Sequence, residues 1–140
     1  MEYATVVTER TKEGKIGIMA LNRPPVNAWN HQFMDDMVSC LNDFKNDPDM
    51  NVVIIKSKCK HFSAGMDFNE VLKKQGDDIL TFFKKAMSLR SLIQSMPQIA
   101  IAQVHGIAAA LGTHLTWFCD LAVASEDAQF GAPPINVGLG

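Results

Sequence analysis

Two short apolar runs, NVVIIKS from Asn51 and QIAIAQV from Gln98, constrain this chain most, because each runs into a stretch of small residues and then into a helix-like pattern. A strand without polar alternation suits burial on both faces, which is how parallel strands joined by helices are placed. Helical crossovers are right-handed, and in open sheets of this kind ligands gather in the loops that leave the carboxyl ends of the strands. Two loops therefore stand out before any chemistry is considered: Ser63 to Asp67 after the first run, and Gly106 to Gly112 after the second.

The rest of the chain fits an α/β fold with a mostly parallel sheet. YATVVTER and KIGIMALN, separated by the turn KEG, read as an opening hairpin whose second strand stops at RPP. From Asn30 to about Asn46, Phe33, Met37, Leu41 and Phe44 recur at helical spacing until NDPD ends the pattern. A second, longer helix is predicted over DDILTFFKKAMSLRSLIQSM, with Phe82, Ala86, Leu89, Ile93 and Met96 on one side and Pro97 as its stop. A third helix is expected from Leu111 to Cys119, followed by the strand DLAVASE. Met34, Met87, Trp117 and Phe118 are expected to fill the core.

Composition narrows the function. With 140 residues, 47% hydrophobic and 20% charged, the chain suits one globular domain. A net charge of −2 with dispersed Lys and Arg offers neither a basic stripe for nucleic acid nor a cationic amphipathic segment for a membrane. Cys40, Cys59 and Cys119 lack the spacing of a zinc site or a disulfide framework, which points to a reducing compartment, by default the cytoplasm, and to no metal. The dinucleotide pattern GxGxxG and the phosphate-loop pattern GxxxxGK are absent.

Both loops carry little side-chain bulk, so each offers backbone N–H groups to a ligand above it, and such donors suit a negatively charged oxygen. In HFSAGMDF, Asp67 also suits a plain helix cap. If the two loops are neighbours, two N–H groups can converge on one oxygen and form an oxyanion hole.

The blocks LNRPPVNAWN, HFSAGMDFNEV, HGIAAALGTHL and CDLAVASEDAQFGAPPINVGLG resemble, in order, the enoyl-CoA hydratase/isomerase or crotonase superfamily. The resemblance spans essentially the whole chain and implies a ClpP/crotonase spiral of ββα units, with residues 1–140 as the core domain and the C-terminal trimerisation helices missing. It implies an acyl-CoA substrate with coenzyme A as part of that substrate, no tightly bound cofactor, and a homotrimer or hexamer for a full-length member. On this chain it assigns the oxyanion donors to the N–H groups of Met66 and Leu111. Ala110, Leu111 and Gly112 stand where a Gly triplet is usual, which narrows the acyl pocket without removing the donor. Arg23, Val26 and Ala28 would approach coenzyme A, with Ala64 and Asp67 flanking its adenine and pantetheine.

The resemblance breaks at the acid/base groups. Family hydratases use two glutamates, and the matching positions here hold His114 and Pro134. Hydration needs one group to activate water and another to deliver a proton, and proline does neither. Isomerase or other lyase chemistry through a thioester enolate is therefore more compatible than two-glutamate hydration, and some isomerase-type relatives carry their carboxylate beyond the position of Gly140. His114 has two readings: an imidazole that moves a proton beside the enolate, or a helix-start histidine in a catalytically silent acyl-CoA-binding paralogue or interaction protein. His105 is expected to be structural, and no chemistry is assigned to His31 or His61.

Overall fold

The computed structural model describes residues 2–71, 73 and 77–132. Strands β1 (Val6–Arg10) and β2 (Ile16–Leu21) form the predicted antiparallel hairpin. Its turn closes through Gly14, whose N–H reaches Thr11 O at 2.8 Å and whose φ of +71° is one that L side chains rarely adopt. Strands β4 (Val52–Ser57), β6 (Ile99–Val104) and β8 (Leu121–Ala124) continue the sheet in the order β1-β2-β4-β6-β8, every pairing beyond the hairpin being parallel.

A second layer of very short strands repeats alongside. Each parallel strand of the central sheet is followed by one: β3 (Ala28–Trp29) after β2, β5 (Gly65–Met66) after β4, β7 (Ile107–Ala109) after β6 and β9 (Gln129–Gly131) after β8. These pair in parallel as β3 with β5 and β7 with β9. Helices then follow: α1 (His31–Lys45) after β3, α2 (Phe68–Val71) and α3 (Asp77–Ser95) after β5, and α4 (Leu111–Phe118) after β7. The result is a ββα repeat wound into a spiral. It places the residues after β4 and after β6 side by side, with Ser63 bridging to Ala108.

Helix α1 begins where the sequence indicates. The Asn30 side chain accepts from Phe33 N at 2.8 Å, satisfying one of the amides that a helix start leaves without an internal partner. Its apolar stripe of Phe33, Met37, Cys40, Leu41 and Phe44 is buried against the sheet, each large side chain contributing about 1.5–3 kcal/mol relative to exposure. In α3 the predicted face is also buried, from Phe82 through Ala86 and Leu89 to Ile93, with Met96 just past the helix end.

Three expectations need correction. Trp117 is 68% exposed and Met87 40%, so neither is core, although Met34 and Phe118 are. Both exposed side chains lie on the groove between α3 and α4, which no described element covers. Neither apolar run is covered on both faces: β4 buries Val53, Ile55 and Ser57 but leaves Val52, Ile54 and Lys56 half-buried, and β6 leaves Ile99 and Gln103 exposed, because the described helices cover only one face of these strands. Among the described residues, no helix is long and apolar enough to cross a membrane.

Candidate active site

The first loop is built on Asn27, a fully buried residue with φ of +50° in the bend between Arg23 and β3. Its Oδ1 accepts from Arg23 N at 2.8 Å, and its Nδ2 donates to Ser57 Oγ at 2.8 Å and Phe62 O at 2.9 Å. Ser63 extends this network: its hydroxyl donates to Asn27 O at 2.8 Å and accepts from Trp29 Nε1 at 3.0 Å. Ala64 N bonds to Val26 O and Asp67 N to Trp29 O, both at 2.9 Å, so the loop runs beside β3 at both ends of β5.

Asp67 performs the expected cap, accepting from Glu70 N at 3.2 Å, and also receives Arg23. The Arg23 guanidinium donates to Asp67 at 2.9 Å, to Glu70 at 3.1 Å and to Ala28 O at 2.8 Å. Asn30 donates to both oxygens of Glu70 as well, at 2.8 and 2.9 Å. Arg23, Val26, Ala28, Ala64 and Asp67 therefore form one connected rim, and Arg23 is occupied in fastening it.

The second loop meets the first through main-chain bonds. Ser63 N donates to Ile107 O at 3.2 Å, and Ala109 N donates to Ser63 O at 2.9 Å. Glycine is required at two contacts. A Cβ on Gly65 would lie 2.9 Å from Ala109 O and 3.4 Å from Leu111 N, and one on Gly112 would lie 2.3 Å from Ser63 O. Met66 thus directly follows a glycine packed on the first amide of α4.

Leu111 opens α4, where an amide has no partner within the helix. The residue before it, Ala110, adopts φ +51° and ψ −117° and provides no side-chain cap. Its own N–H is fixed to Gly131 O at 2.8 Å, and Thr113 Oγ1 donates to Ala108 O at 2.7 Å, holding the turn in a conformation that alanine resists.

His114 follows Leu111 by three residues, about one helical turn. It is half-buried, its ring lies 5.2 Å from that of Trp117, and among the described residues its nitrogens have no hydrogen-bond partner. It also lines a groove of about 330 Å³ with Met87, Arg90, Gln94, Trp117 and Phe118. Pro134 lies outside the described residues. The other histidines behave structurally: His105 Nε2 sits 2.7 Å from Cys59 O, and His61 Nδ1 accepts from Ile107 N at 3.1 Å. Burial, with Asp120 adding to it, pushes the Cys119 thiol at the far end of α4 up to about 12, so it stays protonated and is no nucleophile at neutral pH.

Sequence reading missed Asn27 and Ser63 as organisers of the site. Their only local signal is a polar residue beside bulky apolar ones, in VNAW and in HFSAG.

Comparison with known proteins agrees with this architecture. The profile of the enoyl-CoA hydratase/isomerase family matches residues 11–140. A Mycobacterium tuberculosis protein named as a probable enoyl-CoA hydratase is 34% identical over 99% of this chain and 53% of its own length. A mitochondrial enoyl-CoA hydratase domain-containing protein 3 from Danio rerio is 35% identical over 95% of this chain and 47% of its own. A Legionella pneumophila structure described as an enoyl-CoA hydratase/isomerase (crotonase) superposes with a TM-score of 0.90 at 29% identity, covering 99% of this chain and 54% of that one. The chain spans about half the length of these relatives. Its ββα spiral is the crotonase fold, and with the profile matching nearly its whole length, the chain belongs to the enoyl-CoA hydratase/isomerase family.

Proposed function

We propose that this protein acts on acyl-CoA thioesters by holding the thioester oxygen between the N–H groups of Met66 and Leu111. The supporting observation is the packing of Gly65 on the start of α4, where a Cβ would come within 3.4 Å of Leu111 N. A helix start without a side-chain cap favours negative charge, and one well-placed oxyanion donor contributes about 100- to 1000-fold in rate.

In the step proposed, the α-carbon C–H bond breaks and its electron pair moves onto the thioester carbonyl, whose oxygen becomes the enolate anion. The proton passes to a ring nitrogen of His114, which makes no competing hydrogen bond among the described residues. Return of the proton to another carbon of an unsaturated chain is isomerisation. Such chemistry, or another lyase step, suits His114 and Pro134 better than hydration by paired carboxylates.

Coenzyme A enters as part of the substrate, along the rim of Arg23, Val26, Ala28, Ala64 and Asp67, with no tightly bound cofactor. The residues described here form the family's core domain, and the whole protein assembles as a homotrimer or hexamer through C-terminal helices. The free cysteines fit a reducing compartment, with cytoplasm the expected one.

The test is α-proton exchange of a saturated acyl-CoA in deuterated water, followed by NMR on the whole protein. We expect exchange, slowed about 100-fold by His114→Ala. Thioester binding without exchange would make the protein a silent acyl-CoA binder, and an unchanged rate in the variant would remove His114 from the chemistry.

A further inference from the structure

Beyond the thioester itself, we infer that the acyl chain this protein selects carries a carboxylate, read by Arg90 in the groove between α3 and α4. The inference rests on the oxyanion reading above, because the same groove is lined by His114, one turn along α4 from Leu111. Its walls divide by chemistry. Met87, Trp117 and Phe118 supply apolar surface, while Arg90 and Gln94 bring polar ends from α3.

Among the described residues, neither Arg90 nor Gln94 has a side-chain ion pair or hydrogen bond, and the His114 nitrogens are equally unbonded. This contrasts with Arg23, whose guanidinium is held by Asp67 and Glu70. Among the described residues that line it none carries a carboxylate, so Arg90 brings a permanent cation that this lining does not neutralise.

An acyl chain ending in a methyl group would fill the apolar wall and leave the guanidinium with water alone. A chain ending in a carboxylate satisfies both halves, and a guanidinium binds a carboxylate through paired, charge-assisted hydrogen bonds. The groove, at about 330 Å³, has room for a short chain of this kind.

Competition binding on the whole protein tests this with glutaryl-CoA and pentanoyl-CoA, which match in length and differ in the terminal group. Glutaryl-CoA is expected to bind about tenfold tighter. Arg90→Gln is expected to abolish that preference while leaving pentanoyl-CoA affinity unchanged, since Arg90 is exposed and bonds to nothing that holds the fold. Equal binding of the two thioesters, or a preference that survives Arg90→Gln, overturns the carboxylate inference alone. If neither thioester binds, the oxyanion reading fails and this inference fails with it.

Discussion

The two loops at the site reach the same meeting place by different means. The first, around Met66, is held largely by side chains: Asn27 ties Arg23, Ser57, Cys59 and Phe62 together, Ser63 links Trp29 to the main chain, and Arg23 clamps Asp67. The second, around Leu111, is held by main-chain bonds, one threonine hydroxyl and tight contact between backbones. A hydrogen-bonded loop fails gradually as partners are removed, because each bond contributes separately. A loop seated by contact fails abruptly when an atom is added, because a packed interior has no room to absorb it.

Gly112→Ala presses hardest on this contrast. Its new Cβ would stand 2.3 Å from Ser63 O, so one loop must move, and we expect a loss of about 3 kcal/mol or more in urea unfolding, with α-proton exchange abolished. A stable variant with normal exchange would show that the loops are not seated on each other. Asn27→Gly removes the four side-chain bonds of Asn27 while tolerating the positive φ, and a loss of about 2 kcal/mol is expected. Should it match Gly112→Ala in severity, the distinction between the two modes of support disappears. Ala110→Gly is the mildest and has the opposite sign. It relieves the strained turn at a smaller cost in chain entropy, so stability should rise by about 1 kcal/mol. A fall in stability would place no strain at that turn.

Where the sequence was readable, the reason is periodicity. The α1 stripe and its flanking asparagines, the α3 face, and the two apolar runs each express a pattern within one segment, and all form the expected helices and strands, although the two runs are not covered on both faces. Strands β3, β5, β7 and β9 span only two or three residues, too few to express alternation, so the second layer of the spiral was legible only through the family resemblance. The site divides similarly. Small residues in both loops announced accessible backbone, but the partners of Asn27 Nδ2 lie 30 and 35 positions away and leave no local trace. Trp117 was misread because its apolar character says nothing about which side of α4 the described fold covers.

Ser63 has a consequence for motion. Its hydroxyl belongs to the Asn27 and Trp29 network, while its own N–H and C=O are shared with Ile107 and Ala109. A displacement of either segment is transmitted to its counterpart through one residue, so thermal drift carries both together and the spacing across them varies less than the position of each. Such correlated fluctuation would keep the proposed anion cradle in shape while the surrounding molecule breathes, sparing an incoming ligand the reorganisation that two independently moving arms would demand.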